Sequence, residues 1–177
     1  MNYFELYGIP VLMKVDPAEV KKTFYELSRK YHPDFHATSD ESVKAEVLEK
    51  SSLVNKAFKT FQNPDETIKY VLQLSDLLQE EEKYELGPDF LMEVMDINEK
   101  LMEIDMDRNP ESLDQCAQET LELLNKSYNE VEFIVENYQH GVTPEKDLLR
   151  VKDYYFRKKY LQRILDKIAQ MRNIASL

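Results

Sequence analysis

The chain has 177 residues, a net charge of −11, 42% hydrophobic and 32% charged residues, three glycines and one cysteine. That balance suits one fair-sized folded domain or two small ones; so few glycines argue against phosphate-cradling loops and turn-rich sheets, and the single Cys116 excludes an intrachain disulfide or a multi-cysteine metal site. The opening MNYFELYGIP lacks the basic and apolar regions of a signal peptide and no apolar run approaches a membrane span, so a cytoplasmic protein with no membrane partner is expected.

In chain order, every expected element is a helix. A short one covers about 2–7 and a second about 17–31, with Val20, Phe24, Leu27 and Tyr31 on one face. A third runs over about 39–62, with Val47, Val54, Ala57, Phe58 and Phe61 inward, and a shorter one after Pro64 uses Ile68, Val71 and Leu72. Residues 76–87 read as an acidic linker. Beyond it, Phe90, Val94, Ile97, Leu101 and Ile104 form one helical stripe. A second is formed by Ala117, Leu121, Leu124, Tyr128, Val131, Val135 and Tyr138, and a third by Leu161, Ile164, Leu165, Ile168 and Met171. Three such stripes with short connections predict an antiparallel three-helix bundle over 88–177. Asp16-Pro17, Asn63-Pro64, Gly87-Pro88, Asn109-Pro110 and Thr143-Pro144 mark helix starts, each pairing a capping residue with a proline suited to the first helical position. Glu19, Glu66 and the Thr38/Glu41 pair offer capping boxes.

Charge divides the same way. Residues 1–75 carry 10 basic and 11 acidic side chains, whereas 76–177 carry 13 and 23. An acidic chain is a poor nucleic-acid binder, because phosphate affinity comes from Lys and Arg. The last helix is the basic exception and would neutralise its acidic neighbours.

Residues 30–36 read KYHPDFH. His32 and His36 have the spacing of two ligands on one helical face, but Pro33 pushes His32 out of the helical region and nothing nearby completes a metal site. No cofactor is expected. Lys21, Lys22, Arg29 and Lys30 lie on the helix that ends at Tyr31, and the tripeptide His32-Pro33-Asp34 opens the connection to an antiparallel third helix. This arrangement over about residues 1–75 resembles the J domain. The resemblance implies that the His-Pro-Asp loop and the basic face engage a DnaK-type chaperone and stimulate its ATPase.

The second half narrows the family. FLMEVMDINEKLMEI at 90–104, YVLQL at 70–74 and KYLQRILDKI at 159–168 resemble HscB, the J-protein of iron–sulfur cluster assembly. That resemblance implies a C-terminal bundle that binds the scaffold protein IscU and a J domain that presents it to the specialised chaperone HscA. Helix geometry is compatible. With Phe90 at zero and about 100° per residue, Leu91, Met95 and Met102 fall off the core stripe, next to a face holding Met92, Asp96, Glu99 and Glu103. Carried over position by position, the client patch is Leu91, Met92, Met95, Asp96, Glu99, Glu103 and Tyr160, with Phe156 the substitute for Tyr160 if the last helix is shifted by one turn. A lone cysteine leaves no four-cysteine zinc module, which points to the bacterial form. The arginine common before the YLL-like stretch is absent here, with Thr67 and Ile68 nearby. The alternatives are a J-protein with another client and an enzyme built as a carboxylate-bridged metal bundle; the latter needs Glu-x-x-His pairs, and His140 and His32 follow Asn137 and Arg29 instead.

Overall fold

A computed structural model describes residues 1–107 and 109–175, and all its regular elements are helical. They are α1 (Tyr3–Tyr7), α2 (Pro17–Lys30), a 3-10 turn (Pro33–His36), α3 (Glu41–Phe61), α4 (Pro64–Leu74), α5 (Pro88–Asp107), α6 (Pro110–Asn129), α7 (Glu132–Glu136) and α8 (Glu145–Ala175). Among the described residues no helix is long and apolar enough to cross a membrane. The chain divides into two compact units: residues 1–76 with 135–143, and residues 77–134 with 144–177.

In the first unit the Asn-Pro and Asp-Pro starts work as caps. Asp16 accepts from the Ala18 amide (2.9 Å), and Asn63 accepts from the Asp65 and Glu66 amides (2.9 and 3.3 Å), satisfying donors the helix cannot. The full capping box falls elsewhere, on Asn2 and Glu5 of α1. Asp40, not Thr38, precedes α3, and it makes no side-chain cap. The core gathers Phe4, Tyr7, Met13, Val20, Val47, Val54, Ala57 and Phe61, with Ile68, Val71 and Leu72 from α4. Phe24 of α2 stacks on Phe58 of α3 (3.9 Å between centroids), so the α2–α3 hairpin is zipped by aromatic contact above its aliphatic floor. Tyr7 lies edge-on to Phe61 and donates its hydroxyl to the Val54 carbonyl (2.8 Å); burial pushes that hydroxyl's pKa well above its ordinary value. At the position where the arginine is absent, buried Thr67 aims its hydroxyl at the carbonyls of Thr60 and Asn63. Lys14 pairs with Glu136 (2.9 Å) inside the same unit.

In the second unit α5, α6 and α8 enclose one core built on Phe90, Val94, Ile97, Leu101, Leu113, Leu161, Ile164 and Ile168. The α5 and α8 stripes are those expected, with Leu165 only partly buried. The α6 stripe differs. Leu121 is 46% exposed and the inward positions are Leu113, Cys116, Ala117, Thr120, Leu123 and Ser127. The expected single helix also ends at Asn129; Val131 is buried from the turn that follows, whereas Val135 in the short α7 and Tyr138 after it are buried as part of the first unit. Residues 77–87 are not a free tether. Leu78 is buried, Tyr84 stacks on Phe156 (4.4 Å) and donates to Asp153 (2.8 Å), and Glu82 pairs with Lys152 (2.8 Å). Burial, with help from Asp153, pushes the Tyr84 hydroxyl up to about 12, so it stays a donor at any physiological pH. Asp76 (φ 56°) and Glu81 (φ 54°) turn this stretch through left-handed backbone, a conformation aspartate tolerates better than most residues.

Candidate chaperone-facing loop and client-facing helix

The loop at 32–36 is a stiff turn with its carboxylate outward. Pro33 fixes one dihedral at the start of the 3-10 turn, and His32 caps that turn by accepting the Asp34 amide on Nδ1 (3.2 Å). With Nδ1 used as an acceptor, the neutral imidazole carries its proton on Nε2. Phe35 donates its amide to the His32 carbonyl (3.1 Å). His36 reaches back from the far end, its Nε2 3.1 Å from the Lys30 carbonyl, one of the acceptors left open at the end of α2. His36 is thus a staple of the loop, a role visible in the sequence only as unexplained spacing. At the stem, Tyr31 lies between the ammonium groups of Lys30 and Lys50 (5.3 and 5.4 Å), and Lys50 is itself held by Glu46 (3.0 Å).

What remains unengaged is the Asp34 side chain. It is 89% exposed, and its one ionic neighbour among the described residues is His32 Nδ1 at 3.6 Å, already occupied by an amide proton. Lys21, Lys22, Arg29 and Lys30 are all exposed on α2, Arg29 and Lys30 in its last turn next to the loop and Lys21 and Lys22 nearer its start. The two imidazoles are spent on backbone groups, and among the described residues no cluster of three or more His, Cys, Asp or Glu could hold a metal ion.

On α5, Leu91, Met92, Met95, Asp96, Glu99, Met102 and Glu103 are all exposed, while Phe90, Val94, Ile97 and Leu101 behind them are buried. The helix therefore has one face packed in the bundle and a second, exposed face, half thioether and half carboxylate. Tyr160 of α8 stands at the edge of this face, partly buried. Its hydroxyl accepts from Asn98 Nδ2 (2.9 Å) and its ring meets Phe90 edge-on (5.9 Å). Phe156 lies against Tyr84 instead, and Leu91 and Tyr160 line one concavity with both of those rings.

A helical hairpin tipped by an exposed His-Pro-Asp turn, carried on a chain with a second helical bundle, defines a J-domain protein. Family models agree on both halves: the DnaJ domain matches residues 2–70 and the HSCB C-terminal oligomerisation domain matches residues 86–169. The co-chaperone protein HscB homologue of Photobacterium profundum is 35% identical over 113 residues, covering 63% of this chain and 66% of that protein. The homologue of Vibrio cholerae is 32% identical over the same length. The solved chaperone HscB of Vibrio cholerae superposes with a TM-score of 0.73 over 99% of both chains at 22% identity. The human co-chaperone protein HscB does so at 0.77 over 97% of this chain and 82% of its own, at 26% identity. The chain belongs to the HscB co-chaperone family, which is a family of co-chaperones and not of enzymes.

Proposed function

We propose that this chain binds the iron–sulfur scaffold protein IscU on the exposed face of α5 and delivers it to a DnaK-type chaperone, HscA, whose ATPase the His32-Pro33-Asp34 loop stimulates during cluster maturation and transfer. The observation that carries the reading is the presence, in two separate compact units, of two unengaged surfaces of different chemistry. One is a single carboxylate on a rigid turn at the end of a helix that carries four exposed cations; the other is an adaptable apolar strip edged with acid. An exposed carboxylate can form short charge-assisted bonds to arginine on a partner and so reorder an arginine network there. Because proline and the two histidine contacts already hold the loop, little ordering cost is left for binding. Methionine side chains on α5 can repack against a client of irregular shape. Titration of the chain with each purified partner tests the reading. Binding of scaffold and chaperone to the same molecule at once supports it; mutual exclusion of the two, or no binding of the scaffold, contradicts it.

The basic face of α2 has its own expected outcome. Lys22 and Arg29 lie two turns apart on one stripe, both exposed. Surface charges act mainly on the association rate and are screened by salt. Reversing both to Glu lowers the association rate with the chaperone about tenfold at low salt and flattens its salt dependence. Stopped-flow binding at several ionic strengths checks this; an unchanged low-salt rate identifies these cations as solvated surface only.

A further inference from the structure

Beside the exposed α5 face lies a concavity of about 430 Å³, contained within the second unit and lined on one side by Leu91 and Tyr160. The segment 82–86 forms its other wall, held there by the Tyr84–Phe156 stack and the Glu82–Lys152 pair. The charges around it do not balance. Glu82 is neutralised by Lys152, and Asp153 by Arg157 (2.6 Å) and the Tyr84 hydroxyl. Glu85 does not line the concavity. Lys83 and Arg163 line it without an ion pair among the described residues, and Lys159 lies over the rings of Tyr155 and Phe156 (5.7 and 5.8 Å), contacts that position an ammonium without neutralising it. Three uncompensated cations thus converge on an aromatic-floored hollow in a chain whose net charge is −11. Across Leu91 and Met95 the polarity reverses, because Asp96, Glu99 and Glu103 are exposed, and the nearby Lys100, which feels Asp96, is held by Glu119 (2.9 Å).

We propose that this hollow is a carboxylate-binding extension of the client face, taking an acidic side chain or short acidic segment of the client next to an apolar residue seated on Leu91. The proposal rests on the reading of α5 as the client face. It adds an order that exposure alone does not give: the docking segment must run from basic, through apolar, to acidic as it crosses from Glu103 toward Arg163. An asymmetric charge order of this kind fixes orientation and rejects the reversed segment by like-charge contact.

Two measurements test it. The isotopically labelled full chain is titrated with a short amidated peptide of alternating leucine and glutamate, and with its leucine–lysine counterpart. The acidic peptide shifts the amide signals of residues 82–86 and 159–163 and binds at least tenfold tighter than the basic one. The preference disappears in the triple variant Lys83→Gln, Lys159→Gln, Arg163→Gln. Equal response to both peptides, or a preference that survives in the variant, overturns the site. In the second measurement, the same variant binds purified scaffold protein about tenfold more weakly than the parent at low salt, a gap that closes near about 0.5 M salt, where screening acts over only a few ångströms. Parental affinity at low salt overturns the assignment of the client as occupant. If the parent itself fails to bind the scaffold, the α5 reading and this occupant fall together, while the peptide titration still decides whether the hollow is a carboxylate site.

Discussion

Truncating Leu91, Met92 and Met95 together to alanine lowers affinity for the scaffold protein about a hundredfold and leaves the melting temperature close to the parent's. All three side chains are exposed on α5, Met92 to 66%, so they contribute little to the bundle. Surface substitutions of this kind usually fall within about 0.5 kcal/mol each. At the centre of an interface the same atoms count differently, because removing an apolar anchor there costs a few kcal/mol and about 2.7 kcal/mol corresponds to a hundredfold in Kd. Phe90→Ala behaves in the opposite way. Phe90 is 1% exposed, meets the Tyr160 ring edge-on and lies under the Arg157 guanidinium (5.1 Å). Its loss costs about 3–5 kcal/mol of stability through transfer and cavity terms. Thermal melts and scaffold titration of both variants separate the two faces of α5. A triple variant that melts far below the parent would assign its residues to the core; one that melts normally and binds at parental affinity would move the client elsewhere.

Asp34→Asn returns the chaperone's ATPase to its unstimulated rate while the chain keeps its helicity and its scaffold affinity. The carboxylate is 89% exposed and lies 3.6 Å from His32 Nδ1, so exchanging it for an amide of the same shape leaves the turn intact and removes only the charge presented outward. His32→Gln reaches the same end by another route. It deletes the ring nitrogen that holds the Asp34 amide and lets the turn at 33–36 drift, so the carboxylate is no longer aimed. Full stimulation by both variants would remove the loop from the mechanism.

Much of this was legible in the sequence for identifiable reasons. Asp16-Pro17, Asn63-Pro64 and Asn109-Pro110 fix helix starts because the first residue of each pair accepts an orphan amide and the proline after it has no amide to satisfy, and all three caps form. The α5 stripe was readable because every inward residue on it is apolar. The α6 stripe was not. Thr120 and Ser127 face the core, their hydroxyls satisfied by the Cys116 and Leu123 carbonyls one turn back (2.7 and 2.8 Å), so polar residues occupy positions that an apolar count assigns outward. The end of α6 carries no glycine or proline, and the three- and four-residue spacing runs on through Val131 and Val135, so nothing in the local sequence marks the break at Asn129. The 76–87 stretch reads as a linker because its charge dominates, but two anchors, Leu78 and Tyr84, outweigh that composition and fold it onto its own unit. The wall it forms is what gives the concavity beside Leu91 its shape, so that site could not be read without tertiary contacts.

The steady-state ATPase rate of the chaperone, measured with chain alone, with scaffold alone and with both, bears on the coupling of the two surfaces. The parent chain and scaffold together raise the rate above the sum of their separate effects, because one molecule presents the client and the Asp34 carboxylate at the same time. The Leu91/Met92/Met95 triple alanine variant keeps the stimulation by chain alone and loses the excess; Asp34→Asn loses both. An excess that persists in the triple variant, or rates that merely add for the parent, would contradict the claim that α5 and the loop serve one delivery reaction.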